Sequence, residues 1–164
     1  MPPVRYDATA RQLRQFAALQ VGLTGAFLVV LFVMLGDVGG DLPPWWVVLA
    51  LLVAVAIGAA LAERVWLTAD PLDPAADPEE VREEAVSVFA GQTVRKLVYC
   101  EIPILLAVVT TFLLDAAAWP ILVAGLPGLA VLAFEVWPSL RNATLTSAML
   151  DAGGARSDLV RSFV

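Results

Sequence analysis

Long apolar runs set the organisation of this chain: residues 16–35, 45–62, 97–114 and 116–136 are almost free of charge, and polar segments separate them. A helix rising 1.5 Å per residue needs about 20 residues to cross a hydrocarbon core of about 30 Å, and each run is close to that length. A membrane barrel would instead show short segments of alternating hydrophobicity. The pattern therefore predicts an all-α membrane protein with four transmembrane helices. Residues 36–44, rich in Gly, Asp and Pro, carry the turn chemistry that joins the first two as an antiparallel hairpin. The turn at Asp115 is very short, so the last two form a second, tight antiparallel hairpin.

The segment between the hairpins has a different character. Asp70-Pro71, Asp73-Pro74 and Asp77-Pro78 favour an extended linker, because proline pushes the residue before it out of helical geometry. Asp77 is then a suitable N-cap, with Pro78 at the first helical position and Glu80 three residues after the cap. Val81, Ala85, Val88 and Phe89 recur at helical spacing, which predicts a short cytoplasmic amphipathic helix, apolar on one face and acidic on the other. The third span is expected to follow Gly91. In the fourth, Gly125, Pro127 and Gly128 predict a kink. Residues 139–150 read as a short helix stopped by Gly153-Gly154, and residues 158–164 show no usable pattern. The resulting divisions are an N-terminal tail (1–15), a first hairpin (16–66), an acidic linker and helix (67–92), a second hairpin (93–137) and a C-terminal tail (138–164).

Composition strengthens the membrane reading and narrows the chemistry. Of 164 residues 60% are hydrophobic, above the roughly 45–50% of a soluble domain. There is no histidine, and Cys100 is the single cysteine, which removes the usual imidazole bases, zinc spacings and any intrachain disulfide. No nucleophile with a base, metal-ligand cluster or phosphate loop is present, so neither an enzyme nor a bound cofactor is expected. Lys96 stands alone among arginines, and with the abundant alanine this suggests a high-GC bacterial coding bias.

Charge gives the topology. Arg5, Arg11, Arg14, Arg64, Arg82, Arg95, Lys96, Arg141, Arg156 and Arg161 all fall in the two tails or the middle segment. None falls in residues 36–44 or at Asp115, so the positive-inside rule places both termini and the middle segment in the cytoplasm of a bacterial inner membrane. Trp45, Trp46 and Trp119 sit at the outer ends of runs and Trp66 and Trp137 at the inner ends, as interfacial indoles should. The cytoplasmic placement also means that the sequon Asn142-Ala143-Thr144 is not read as a glycosylation site.

Acidic residues concentrate between Asp70 and Glu84, where seven face Arg82 alone, a net of −6 that equals the charge of the whole chain. Glu79, Glu80, Glu83 and Glu84 are the candidate surface for a protein partner. The alternative is a solvated face with no specific partner, since an acidic helix is repelled by anionic lipid. Small residues recur every fourth position at Ala18, Gly22 and Ala26, and again at Ala50, Ala54, Gly58 and Ala62. They fit close packing within the bundle or a seam in a homo-oligomer. The lipid bilayer and either a protein partner or further copies of the chain are the expected partners, with no nucleic acid.

The hairpins are alike in sequence. Arg14 and Gln20 align with Arg95 and Glu101 at an offset of 81, and residues 61–66 align with 132–137 at an offset of 71. Both halves then run in, out, in, which makes a tandem parallel repeat. In it Gln20 and Glu101 are equivalent intramembrane polar positions.

Glu101 is the position at which chemistry is most plausible. Glu101-Ile102-Pro103-Ile104 and the apolar run to Leu114 resemble the carboxyl-terminal helix of rotary ATP synthase proteolipid (c) subunits, where an acidic residue is closely followed by proline in some members. That resemblance implies a reversible proton or sodium site at Glu101; Gln20, its equivalent in the repeat, is the second, neutral candidate position. The chain also resembles small four-helix membrane proteins of high-GC Gram-positive bacteria, a likeness that implies no activity. The competing expectation is structural: Glu101 lies about 6 Å past Lys96 and Leu97 along a helix, and pairs with Arg95, Lys96 or Arg14 to join the hairpins. A non-enzymatic accessory or assembly subunit is the leading expectation, and an ion-binding or ion-translocating protein the alternative.

Overall fold

A computed structural model describes residues 5–35, 41–114 and 117–163, and the expected turns at 36–40 and Asp115 lie outside them. The described residues form helices and no strand: α1 (Arg5–Leu35), α2 (Trp45–Glu63), α3 (Pro78–Leu114), α4 (Leu126–Val136) and α5 (Leu140–Leu150). Short 3₁₀ turns cover Val65–Thr68, Asp151–Gly153 and Leu159–Phe163, and a π-helical turn, Ile121–Gly125, leads into α4. Three helical segments, Thr9–Leu35, Trp45–Glu63 and Pro78–Leu114, are long and apolar enough to cross a membrane. The count reaches four if Ile121–Val136 and Leu140–Gly153, which meet at a 54° bend, are taken together as one span.

The central element is α3, with α2 and α4 packed against it. It differs from the expected short helix followed by a separate span. From Pro78 to Leu114 it is one helix, because Gly91 costs helical stability but does not force a break. Asp77 Oδ1 accepts the Glu79 amide at its start, at 2.9 Å, and so satisfies one of the donors that a helix N-terminus leaves free. Two glycines set the spacing of its neighbours. A Cβ on Gly58 of α2 would lie 2.6 Å from the Tyr99 carbonyl oxygen, and one on Gly128 of α4 would lie 2.7 Å from Ile104 Cγ1. Pro103 has no amide hydrogen to give the carbonyl of Tyr99 four residues earlier. Gly58 thus brings α2 against the weakest turn of α3.

The small-residue stripes divide between two environments. In α2, Gly58 and Ala62 are buried in the bundle, whereas in α1 Ala18, Gly22 and Ala26 are exposed. Packing within the bundle therefore accounts for the inner half of the α2 stripe and not for the stripe on α1. Beyond the polar first turns of α1 and α3, the outward faces of α1, α2 and α3 are apolar, as Leu23, Val30, Val33, Val53, Ile57, Leu105, Val109 and Phe112 illustrate. Polar side chains of this part of α3 are satisfied locally: the outer Thr110 and the buried Thr111 donate to the carbonyls of Leu106 and Ala107, four residues earlier.

The bundle has a second core at the end where the basic residues collect. Ala10 and Leu13 of α1, Leu72 of the linker, Val81, Ala85 and Phe89 of α3, Leu150 of α5, and Leu159 and Phe163 of the C-terminal turn are buried together. The tails and the acidic linker thus build a cap that continues from the long apolar helices. Phe89 and Phe163 meet edge to face with ring centroids 4.9 Å apart. Leu72 donates its amide to the Leu150 carbonyl at 2.9 Å, which ties the linker to the end of α5. Arg82 pairs with Asp158, and Arg14 donates to the carbonyl of Phe163 and stacks near its ring.

Candidate functional site

Polar chemistry gathers where the long apolar helices meet the cap. Lys96 of α3 and Glu135 of α4 are each only 5% exposed, and Lys96 Nζ donates to Glu135 Oε2 at 2.9 Å. Lys96 Nζ also donates to Asn142 Oδ1 at 3.1 Å. Asn142 Nδ2 in turn donates to the carbonyls of Glu135 and Trp137, both at 3.0 Å. Those carbonyls close α4, where a helix leaves acceptors without intrahelical partners, so one amide both caps α4 and holds the bend into α5. Ser139 starts α5 by accepting the Asn142 amide hydrogen at 3.3 Å.

Two further charges extend the cluster to the surface. Arg141 of α5 lies 3.8 Å from Glu135 Oε1 and donates to Glu63 Oε1 of α2 at 2.5 Å. Its guanidinium also stacks 5.1 Å from the Phe134 ring centre. The Glu63 carboxylate raises the pKa of Arg141, which lies beyond the apolar segments, and keeps it charged. The order Lys96, Glu135, Arg141, Glu63 alternates in sign, sums to zero, and draws one charge from each of α3, α4, α5 and α2. Beside it, the buried Thr146 donates to Gln92 Oε1 at 2.7 Å, while Gln92 Nε2 has no acceptor among the described residues.

Glu101 has a different partner from those expected for a structural ion pair. Gln20 Nε2 donates to Glu101 Oε1 at 2.6 Å, so the two positions that the sequence alignment equates touch each other. Lys96 is engaged with Glu135 and Asn142, Arg95 donates to Thr68 Oγ1 at 3.3 Å, and Arg14 is held at Phe163. Geometry explains the difference. Residues five and six apart on a helix point to different sides, so Lys96 and Arg95 do not face Glu101 even though they are near it in sequence. Arg14 is separated from Gln20 by about 9 Å of helix rise, which leaves it level with the cap.

Glu135 is the larger correction. Its place beside Trp137 and Pro138 reads as interfacial, yet it is the buried centre of the cluster. A signal for this exists in the sequence: Lys96 precedes Asp115 by 19 residues and Glu135 follows it by 20, so a tight hairpin sets them at equal depth. Asn142, read only as a discounted sequon, has no such signal, because its role depends on where α4 ends.

Glu79, Glu80, Glu83 and Glu84 are all exposed on the first turns of α3, opposite the buried Val81, Ala85 and Phe89. Cys100 is buried within the bundle. Among the described residues no group of three or more Cys, Asp or Glu side chains is placed to hold a metal ion. Comparison with protein families, with curated proteins and with solved structures finds no match to this chain.

Proposed function

We propose that this chain is a non-enzymatic integral protein of a bacterial inner membrane, an accessory or assembly subunit that holds a rigid acidic face on the cytoplasmic side for a protein partner. In this reading α1, α2, α3 and the segment ending in α4 cross the bilayer as two hairpins of a tandem repeat. The cap, with the basic residues gathered at it, is cytoplasmic. The observation that carries the proposal is the continuity of α3: its acidic first turns extend a span directly, and Val81, Ala85 and Phe89 lock them into the cap. A face fixed in this way loses little freedom on binding, so a basic partner meets prearranged carboxylates.

Removing the whole acidic segment would not test the idea, because Leu72 and Val81 belong to the cap core. Lysine in place of Glu79, Glu80 and Glu83 is the suitable variant, since all three are exposed. Proteins that co-purify with the native chain are expected to fall by about tenfold or more, in line with like charges replacing opposite ones across an interface. Undiminished recovery with the variant would count against the proposal.

A second reading, proton or cation transfer at Glu101, is favoured by the nature of its partner. The half-buried Glu101 carboxylate is held by the neutral Gln20 amide and not by a fixed cation, the arrangement that an exchangeable proton or cation site requires. In proteoliposomes this reading predicts proton or sodium flux that the native chain supports and Glu101→Gln loses. Equal flux from both, or none from either, would remove it.

A further inference from the structure

Two openings flank Gly91 of α3 at the junction of cap and spans. One is a cavity of about 290 Å³ that includes Thr68, Asp70, Glu84, Gln92 and Arg95 in its wall. The other is a groove of about 360 Å³ between α1 and α3, lined largely by apolar side chains such as Leu13, Phe16, Ala90 and Val94. Gly91 belongs to both, and a Cβ placed on it would meet nothing within 4 Å. Helix packing gives no reason for a glycine here, and in a helix interior it is less favourable than alanine. What its missing side chain does provide is passage between a polar cavity and an apolar groove.

The charges of the cavity select the ligand. Arg95 is turned into place by its bond to Thr68 Oγ1, Asp70 follows two residues after Thr68, and Glu84 lies on the α3 wall three turns before Arg95. An anion alone would face two carboxylates, and a cation alone would face the guanidinium. A molecule bearing both a phosphate and an ammonium satisfies the set, with the phosphate on Arg95 and the ammonium toward Asp70. The groove beyond Gly91 supplies the apolar contact that a chain attached to such a headgroup requires. We infer that this junction binds a zwitterionic phospholipid of the phosphatidylethanolamine class, its headgroup in the cavity and an acyl chain laid over Gly91 against Phe16 and Val94.

The site adjoins the acidic partner face through Glu84, but Glu79, Glu80 and Glu83 do not line it, so its test is independent of partner recovery with their lysine variant. Native mass spectrometry of the full chain in mild detergent, with phosphatidylethanolamine, phosphatidylglycerol or soluble glycerophosphoethanolamine added, gives the comparison. Phosphatidylethanolamine should be retained about tenfold more than phosphatidylglycerol, and the soluble headgroup should not be retained. Arg95→Gln and Asp70→Asn should each reduce retention by about tenfold, the loss of one charge-assisted contact. Gly91→Leu should abolish it while the thermal midpoint stays level or rises, since the new side chain enters open space on a helix. Equal retention of the two lipids, tight binding of the soluble headgroup, or full retention by Gly91→Leu would each overturn the inference.

Discussion

Replacing Glu135 by leucine is expected to destabilise the protein by about 3–5 kcal/mol, the usual penalty when one member of a buried ion pair is lost. Lys96 would then remain almost fully enclosed, with only the amide oxygen of Asn142 to receive its charge. Lys96→Met should be comparably harmful, because it strands Glu135. The double variant Lys96→Met/Glu135→Leu should recover most of the loss, since a well-packed apolar pair of similar volume often matches a buried ion pair. Titration of the purified protein with a denaturing detergent, followed by tryptophan fluorescence, provides the measurement. Single variants within about 1 kcal/mol of the native chain, or a double variant worse than both, would show that the cluster is not organised by this pair.

The second large effect is expected at the other end of the chain. Phe163→Ala should cost about 3–5 kcal/mol, the range for deleting a buried aromatic ring. Phe163 is 5% exposed, packs on Phe89, and carries the carbonyl that receives Arg14. The loss should be confined to the cap. Hydrogen exchange would then quicken over residues 5–13, 78–90 and 140–163 and stay slow in residues 45–62 and 97–114. Unaltered exchange in the cap would refute the assignment of Phe163 to its core.

These two residues mark what sequence reasoning can and cannot reach here. Whereas the starts of α1 at Arg5 and of α3 at Pro78 lie well before the apolar runs, the apolar helices and the N-cap at Asp77 follow from local signals: a continuous apolar run, an Asp-Pro pair, a repeat of Val81, Ala85 and Phe89. Such signals need only a few neighbouring residues. The cap core is different, because apart from the periodic face of α3 the segments that build it, α1, the linker, α5 and the C-terminal turn, each contribute only a few buried residues, too few to show a period. Phe163 therefore reads as part of a featureless tail. The polar cluster lies between these cases. Lys96 and Glu135 can be matched by their equal distance from Asp115, whereas reading Lys96 as a partner for Glu101 confuses nearness in sequence with a shared helical face. The contact of Gln20 with Glu101 falls on the pair of positions that the alignment of the two halves equates.

The unbroken course of α3 has a mechanical consequence. At 1.5 Å per residue its 37 residues extend about 55 Å, well beyond the roughly 30 Å of a hydrocarbon core. Pro103 divides it unequally: the longer part runs back to the acidic end in the cap, and the shorter part ends at Leu114. Pro103, where the helix lacks one hydrogen bond, is its most compliant point, and Gly58 bears on that point as a fulcrum. Bending of α3 is thereby concentrated at Pro103, and the part beyond it is held where Val47 and Leu51 of α2 pack with Ala107 and Ala124.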